Sequence, residues 1–271
     1  MSQVAAEVLG VDLEQIEVLH SETRGAVFGQ GSYGSRTFSV EGTTIYKAAQ
    51  KIQDQARQMA AHMLNVAESD VVVEDGKFYV QGSPERVKTL REISMALWYA
   101  WDLLPEMEPG LETIVFFDPP NFNFPFGTHA VLVEVDEKTG QVEIVRYVAV
   151  DDFGKVGNPK IVEAQTHGNI HLGISSALCE EAIYDSFGNI ITDSYTTYAI
   201  AKASQLPTFE LERTVTPNPN TPLGAKGAGD VANLLRSPAI VNAVCDALSD
   251  LGIKHIDIPL TPEKVWRAML G

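Results

Sequence analysis

The sequence predicts a mixed α+β fold with two sub-units that divide near residue 115. Helical and strand-like patterns alternate along the chain without a strict βαβ rhythm, and no internal repeat or low-complexity linker is visible. The length of 271 residues suits one large domain or two smaller ones, and the 45% hydrophobic content is ordinary for a packed protein. We therefore expect mixed sheets with packed helices over 1–115 and 116–271.

The first sub-unit is predicted to begin with helical and turn signals. Apolar residues over 4–9 indicate a helix that Gly10 ends as a C-cap. A short strand over 16–19 and a glycine-rich loop over 25–36 are expected to follow. After this loop, apolar residues at helical spacing predict a long helix over about 42–64.

A hairpin and a second helix complete this sub-unit. The β-rich runs on either side of Glu74-Asp75-Gly76 predict a hairpin over 71–80. Thr89 and Glu92 have the spacing of a capping box, which predicts a helix from Thr89 to about Leu103.

Two β-rich runs open the second sub-unit, over 129–136 and 141–150, with a turn between them. Asn158-Pro159 has the pattern of an N-cap followed by proline at the first helical position, which predicts a helix to about Ala182.

The last third of the chain is predicted to alternate again between strand and helix. A strand-like run ending near Tyr198 and a strand over 209–215 are expected. Ser237-Pro238 repeats the capping pattern and predicts the start of the next helix, which Gly252 closes.

Composition excludes several classes of partner. Asp and Glu number 36 against 20 Lys and Arg, so the net charge is −16, and this excess disfavours nucleic acid and anionic membranes. The two cysteines, Cys179 and Cys245, form no CxxC motif, so neither a disulfide framework nor an iron–sulfur cluster held by this chain alone is expected. Neither a signal peptide nor a membrane span is visible, and we expect a cytoplasmic protein.

The most informative motif is the loop Thr221-Pro-Leu-Gly-Ala-Lys-Gly-Ala-Gly-Asp230. Its three glycines leave backbone with little side-chain cover, and Asp230 is the one carboxylate at its end. Bare backbone beside a single acid suits a site where a large ligand lies close to the chain. The alternative is a glycine-rich hinge, with Asp230 simply near a helix start.

A second candidate ligand loop is Gly29-Gln-Gly-Ser-Tyr-Gly-Ser-Arg-Thr37. Successive backbone N–H groups and small hydroxyls leading toward a helix are what a phosphate or pterin-like ligand needs. The loop lacks the GxxxxGK[ST] and GxGxxG spacings, so it is not a standard nucleotide loop.

Other polar clusters have simpler interpretations. Glu163, His167 and His171 are four residues apart on one predicted helix, so a single face could present them to zinc, but no further partner is in view. Gln165, on a different face, offers two donors and one acceptor. Asp151-Asp152 at a strand end could share a proton or bind Mg²⁺, although a solvated turn is the commoner role.

In their order along the chain, these motifs resemble the C-terminal part of the molybdenum-binding large subunit of the xanthine dehydrogenase / aldehyde oxidase family, and its carbon monoxide dehydrogenase-like branch in particular. The resemblance covers nearly the whole chain. The matching runs are Tyr33-Gly-Ser-Arg36, Asp118-Pro-Pro-Asn121, Phe124-Pro-Phe-Gly127, Val133-Glu-Val-Asp136, Thr139-Gly-Gln141, Val150-Asp-Asp152, Asn158-Pro159, Gln165, Asp193 through Tyr198, Pro222-Leu-Gly-Ala-Lys-Gly-Ala-Gly229, Pro238-Ala with Asn242-Ala243, and Pro259-Leu-Thr-Pro262 with Trp266.

The resemblance implies a molybdenum hydroxylase, an oxidoreductase that takes its oxygen from water. The implied cofactor is molybdopterin, a Mo-pyranopterin in its cytosine dinucleotide form, with FAD and [2Fe-2S] on partner subunits. The implied partners are an upstream molybdenum-binding subunit or fragment, an FAD subunit and an iron–sulfur subunit. The small-molecule substrate stays open among aldehydes, N-heterocycles and carbon monoxide.

Site residues follow from the same resemblance. The segment that holds molybdopterin in the family is matched by Gly34, Ser35, Arg36 and Thr37. A glutamine that hydrogen-bonds the cofactor is matched by Gln165. The loop beside the metal is matched by Lys226, Gly227, Ala228 and Gly229. The catalytic glutamate is matched by Asp230, and no residue of this chain is implied as a metal ligand.

Two departures from the family pattern bear on function. Aspartate replaces the catalytic glutamate at Asp230, which shortens its reach by roughly 1.5 Å. A misplacement of about 1 Å can lower a rate on the order of a hundredfold, so a non-catalytic assembly or cofactor-binding subunit is the alternative. The chain also starts within a helix that an upstream half precedes in the family, so we expect a split-gene subunit or a fragment. An unrelated metal hydrolase using the Glu163 trio is a third hypothesis.

Overall fold

The computed structural model describes residues 1–23, 28–100 and 102–271. The start of the predicted loop over 25–36 and one position near the end of the predicted helix of the first sub-unit lie outside these ranges. The described residues form two compact units, 1–121 with 221–223, and 122–220 with 224–271. Within these units no helix is long and apolar enough to cross a bilayer.

The first unit combines three helices with a three-stranded antiparallel sheet. The helices are α1 (Ser2–Leu9), α2 (Gly42–Leu64) and α3 (Leu90–Tyr99). The sheet has the order β1 (Val71–Glu74), β2 (Lys77–Val80) and β3 (Ser83–Thr89). Its core joins one face of α2 to the hairpin and α3 through Ala56, Met59, Ala60, Ala61, Val71, Phe78, Ile93 and Leu97.

Local signals explain where these helices begin and end. The predicted long helix is confirmed, and Asn65 in the left-handed conformation ends it. Thr89 and Glu92 form the predicted capping box, because Thr89 Oγ1 accepts from the Glu92 amide at 3.2 Å and Glu92 Oε2 accepts from the Thr89 amide at 2.8 Å. The helix that they start is shorter than predicted and ends at Tyr99.

The second unit packs helices on a mixed three-stranded sheet. Strand β4 (Phe126–Val135) pairs antiparallel with β5 (Val142–Asp152), and β5 pairs parallel with β6 (Phe209–Thr214). The helices are α4 (Pro159–Leu178), α5 (Val231–Ala247) and α6 (Pro262–Leu270). The core lies where they meet the sheet and includes Tyr147, Ala149, Ile170, Ile174, Ile240, Val244, Leu260 and Val265. Together, the two units confirm the predicted α+β class.

Two predicted strands are wrong. Residues 16–19 are irregular and pair with no strand among the described residues. The run ending near Tyr198 forms turns, with one isolated bridge between Tyr184 and Ile190. A β-rich sequence becomes a strand only where a partner supplies hydrogen bonds and packing, and neither run finds one.

The predicted start of the last long helix is also wrong. Helix α5 begins at Val231, so Pro238 lies inside it rather than at its first position. Ser237 donates to the Gly173 carbonyl of α4 at 3.2 Å instead of capping. Packing of α5 on α4 outweighs the hydrogen bond that an internal proline removes. Helix α4 starts at its predicted Asn158 cap but ends at Leu178, before the predicted residue 182.

We predict opposite effects for two Gly→Ala substitutions on α4. A Cβ at Gly173 would overlap the Cβ and Cγ of the buried Arg236, whereas at Gly168 it would meet no atom within 4 Å. Gly168→Ala should raise the free energy of unfolding by about 0.5–1 kcal/mol through helix propensity. Gly173→Ala should lower it by about 1–3 kcal/mol through overpacking. Urea denaturation measures both, and equal effects of the two variants would contradict the close packing at Gly173.

Candidate active site

The glycine-rich loop is held against the end of β5 by backbone contacts. Gly154 and Ala225 form an antiparallel bridge, and the Lys226 amide donates to the Phe153 carbonyl at 2.9 Å. The Lys155 amide donates to the Gly224 carbonyl, also at 2.9 Å. A Cβ at Gly154, whose φ is +63°, would collide with the Gly224 carbonyl oxygen. The loop therefore has a fixed base rather than the free hinge of the alternative interpretation.

A buried ion pair reinforces this base. Lys226 Nζ lies 2.8 Å from Asp152 Oδ1, and the two side chains are 8% and 0% exposed. The Gly154 amide and the Thr214 hydroxyl also donate to Asp152, at 2.9 and 3.0 Å. Although desolvation raises the pKa of Asp152, hydrogen bonds from Lys226, the Gly154 amide and two threonines outweigh it and lower this pKa to about 2.

Both the backbone amide and the side-chain ammonium of Lys226 are thus bound by other groups of the protein. Its amide bonds to Phe153, and its ammonium group pairs with Asp152 while lying 4.3 Å from the centre of the Phe126 ring. The Lys226 side chain is therefore occupied, and a cofactor contact predicted for this part of the loop has to come from the backbone that follows Lys226.

The adjacent acid, Asp151, has a different set of partners. It is 2% exposed, and its Oδ1 lies 3.3 Å from Nε2 of the buried His129. Because a carboxylate only accepts, Nε2 donates to it and Nδ1 accepts from the Tyr147 hydroxyl at 2.9 Å. Burial raises the pKa of Tyr147, which keeps this donor protonated. Asp151 and Asp152 therefore neither share a proton nor form the solvated turn that was the simpler expectation.

The tip of the loop carries the candidate base. Gly227 is buried, Ala228 and Gly229 are half-buried, and Asp230 is exposed at the N-cap position of α5. The positive end of the helix dipole favours a negative charge there. The Asn169 side-chain amide of α4 donates to the Gly229 carbonyl at 2.6 Å. One carboxylate is therefore presented to solvent from a segment that is hydrogen-bonded on both sides.

Helix α4 exposes a stripe that includes the predicted Gln165. Gln165 and Gly168 are exposed, and so are Ile161 and Leu172, at 58% and 46%. Their spacing of three or four residues places all four on one face. A glycine and a neutral amide between two exposed aliphatic side chains offer a surface that a ligand or another protein segment can approach closely.

In the first unit, the predicted cofactor segment forms a turn with unusual backbone angles. Gly34 and Ser35 have φ of +56° and +59°, and Arg36 returns to right-handed values at −78°. Successive left- and right-handed residues turn neighbouring N–H groups toward one concave side, which is an anion-binding arrangement. A left-handed serine is uncommon and costs energy, and such residues cluster at functional sites.

The surrounding contacts hold this turn in place. Arg36 Nη1 donates to the Gly31 carbonyl at 3.0 Å, and its guanidinium lies 5.2 Å from the centre of the Tyr33 ring. Thr37 and Ser32 hydrogen-bond through their hydroxyls. Thr37 then begins a π-helical turn over Thr37–Glu41 that continues into α2. Such turns are rare and frequent at functional sites.

In the structure, Glu163, His167 and His171 do not converge on a common point, as the alternative zinc site would require. His167 Nε2 lies 4.0 Å from Glu163 Oε1, but His171 Nε2 bonds to the Ala201 carbonyl at 2.7 Å. In the described ranges, no three His, Cys, Asp or Glu side chains converge on a point that could hold a metal. The predicted segment of the first unit offers backbone N–H groups and hydroxyls, and that of the second unit offers backbone N–H groups, the Gln165 amide and the acceptor oxygens of Asp230. Each set by itself fits a cofactor that brings its own metal ligands.

Sequence reasoning missed three residues that shape the second unit: His129, Asn169 and Arg236. All three have buried polar groups whose partners lie far along the chain, so local spacing gave no signal for their contacts. An arginine six residues after Asp230, with apolar neighbours on the same helix, was the one sequence feature that could have pointed to a buried cation.

Comparison with known proteins identifies the family of this chain. The sequence matches the family described as molybdopterin cofactor-binding domain over residues 1–207. The carbon monoxide dehydrogenase large chain of Hydrogenophaga pseudoflava is 38% identical over 269 residues, which is 99% of this chain and 33% of that protein. The nicotine 6-hydroxylase large subunit of Paenarthrobacter nicotinovorans is 38% identical over 273 residues, which is 100% of this chain and 33% of that protein.

Among solved structures, reconstituted CO dehydrogenase from Oligotropha carboxidovorans is similar with a TM-score of 0.91 at 36% identity, covering 98% of this chain and 33% of that one. This similarity confirms the predicted fold class. The chain spans about one third of the length of the relatives that it matches.

Proposed function

This chain belongs to the family of molybdopterin cofactor-binding domains, and from that premise we propose that it is the C-terminal part of the molybdenum-binding large subunit of a multi-subunit hydroxylase. The observation that carries the proposal is the loop ending in Asp230. A base built on the buried Lys226–Asp152 pair presents the half-buried backbone of Ala228 and Gly229 and one exposed carboxylate at a helix N-terminus.

We assign cofactor-binding groups to each unit separately. In the first, the N–H groups of Gly34 and Ser35 and the Thr37 hydroxyl bind polar groups of the pterin or its phosphates. In the second, the Gln165 amide and the backbone over 227–229 hydrogen-bond the cofactor. These roles rest on the open turn at Gly34 and on the exposed face of α4.

The bound cofactor would supply the redox chemistry, in which a substrate is oxidised with water as the oxygen source. Asp230 acts as the general base and takes up a proton at a carboxylate oxygen. Because Asp230 is one methylene shorter than the family's glutamate, its reach depends on where the loop holds it.

We extend the proposal to the rest of the assembly. The cofactor is the cytosine dinucleotide form, an upstream large-subunit fragment completes its site, and FAD and [2Fe-2S] clusters lie on two further subunits in the cytoplasm. Two relatives with the same 38% identity are named for carbon monoxide and for nicotine, so the substrate class stays an aldehyde, an N-heterocycle or carbon monoxide. The alternative function, favoured by the shorter acid, is a non-catalytic assembly subunit.

Cofactor content tests the proposal directly. The chain should be produced together with the proposed upstream large-subunit fragment, FAD subunit and iron–sulfur subunit. We expect the resulting complex to contain equimolar molybdenum and pterin. Elemental analysis and pterin fluorescence measure this content. A stable complex without molybdenum and pterin would overturn the proposal.

A matched pair of glycine variants locates the cofactor contact. Gly34 and Gly188 both have positive φ, +56° and +84°, and open space where a Cβ would stand, so alanine adds a similar strain of about 1 kcal/mol at each. Gly34→Ala should lower molybdenum and pterin content severalfold, because it disturbs the turn that directs the N–H groups. Gly188→Ala should leave this content unchanged.

A further inference from the structure

Arg236 is an arginine that the fold takes almost completely out of water. It lies on α5, six residues after Asp230, and is 3% exposed. Arginine is almost never fully buried unless it is paired. Room for its stem comes from Gly173 of α4, because any Cβ there would overlap the Cβ, Cγ and Cδ of Arg236. A glycine and an arginine on two packed helices thus fit each other.

The guanidinium group of Arg236 fixes one side chain of α4. Its Nη1 donates to the Asn169 carbonyl oxygen and to Asn169 Oδ1, the latter at 3.1 Å. Arginine has only donors, so Oδ1 must face it and the Asn169 amide nitrogen must face away. That nitrogen donates to the Gly229 carbonyl, which accepts only, at 2.6 Å. The Arg236 guanidinium and the Gly229 carbonyl therefore require the same orientation of the Asn169 amide.

The charge of Arg236 acts on the same segment. Burial lowers the pKa of its guanidinium, while Tyr147, Asp230 and Glu180 interact with it electrostatically in the opposite direction. Arginine stays protonated in proteins even when buried. A permanent positive charge therefore interacts electrostatically with the Asp230 carboxylate and is joined to the Gly229–Asp230 peptide through the hydrogen bonds of Asn169.

We propose that Arg236 and Asn169 are positioning residues, which hold the Gly229–Asp230 peptide and thereby set where the Asp230 carboxylate stands. This inference rests on the proposed function of Asp230 as the base. For a shorter acid the position of the peptide matters more, since a displacement of about 1 Å can change a rate on the order of a hundredfold. The Asn169–Arg236 pair keeps that displacement small.

Asn169→Asp isolates the step from Asn169 to the loop. Aspartate keeps the acceptor for Arg236, but it cannot donate to the Gly229 carbonyl and repels that oxygen. In the full chain, we expect amide hydrogen exchange over 227–230 to accelerate about ten- to hundredfold. In the assembled complex, kcat should fall by about the same factor at unchanged KM and molybdenum content.

Two further variants separate this role from general stability. Asn158→Asp adds the same charge to the same helix, and aspartate caps a helix as well as asparagine, so it should leave exchange over 227–230 and kcat unchanged. Arg236→Met should accelerate exchange and lower kcat as Asn169→Asp does. Arg236→Lys should show smaller changes in both, because an ammonium keeps the charge but not the planar set of donors.

The outcomes also separate this inference from the proposed function. The inference would be overturned if amide hydrogen exchange over 227–230 in Asn169→Asp were as slow as in the unmodified chain. It would also be overturned if exchange were faster but kcat of the assembled complex were unchanged. A complex that lacks molybdenum would overturn the proposed function instead, while the exchange rates measured on the chain itself would still decide whether Asn169 and Arg236 hold the loop.

Discussion

Replacing Asp230 by alanine is expected to lower turnover of the assembled complex by about 10²–10⁴-fold, the usual contribution of a general base. The side chain is exposed at the start of α5, so its removal should leave folding and molybdenum content unchanged. Asp230→Asn should behave like alanine, since it keeps the shape and removes the basic oxygen. Steady-state kinetics on complexes of equal molybdenum content measures the effect.

Asp230→Glu tests whether reach limits this base. The added methylene extends the carboxylate by roughly 1.5 Å, and turnover should equal or exceed that of the unmodified complex. Asp246→Ala is the control, because Asp246 is also an exposed acid on α5, and it should leave turnover unchanged. If Asp230→Ala turns over at the unmodified rate, the non-catalytic assembly function gains and the role of Asp230 as the base falls.

The elements that the sequence predicts best are those specified by neighbouring residues. Helical spacing locates α2, a capping box locates α3, and an N-cap with proline locates α4. In each case the hydrogen bonds that start or end the element are made within a few residues. The same reasoning could have found α6, since Thr261 caps it and Pro262 follows.

Elements that depend on distant partners are predicted less well. Strand β3 lacks an apolar alternation and forms because β2 offers it hydrogen bonds. Helix α5 starts at Val231 because its first turns pack on α4 through Arg236 and Asn169. Local propensity is a weak prior that such tertiary contacts override.

The candidate site shows the same division. Glycine spacing and a terminal acid are enough to single out the loop before Asp230 and the turn at Gly34. The burial of Asp152, its pairing with a lysine 74 residues further along the chain, and the hydrogen bonds of Asn169 require the fold. Sequence patterns therefore single out the backbone segments of the candidate site, and the fold identifies the side chains that hold the loop before Asp230.

Breaking the Asp152–Lys226 pair is expected to have the largest effect on stability. Asp152→Ala leaves the Lys226 ammonium buried without its carboxylate and removes the acceptor of the Gly154 amide and the Thr214 hydroxyl. Removing one partner of a buried pair costs about 3–5 kcal/mol, which lowers the Tm of a chain of this size by roughly 10 °C. Thermal unfolding of the chain at pH 7 measures the loss.

The double variant Asp152→Ala, Lys226→Met distinguishes a lost pair from lost packing. Without the unpaired ammonium, it should be more stable than Asp152→Ala alone. Arg146→Met serves as the surface control, because Arg146 pairs with Glu210 in solvent, with side chains 60% and 48% exposed. Its Tm should stay close to that of the unmodified chain. A double variant less stable than Asp152→Ala would show that Lys226 contributes mainly through packing.

Because the pKa of Asp152 is lowered, the free energy of unfolding depends on pH, and the sign of the pKa shift gives the direction of this dependence. The carboxyl titrates at about 2 in the folded chain and at its ordinary value of 3.8 when unfolded, so the unfolded state binds the proton first as pH falls. The stabilisation, about 2 kcal/mol from a shift of this size, is complete above about pH 4 and is lost as pH falls through about 2. The difference in unfolding free energy between the unmodified chain and Asp152→Asn should therefore be constant from pH 7 to about 5 and shrink below about pH 4. A difference that grows on acidification would show that Asp152 is protonated in the folded chain, and the ion pair that holds the glycine-rich loop before Asp230 would then be absent.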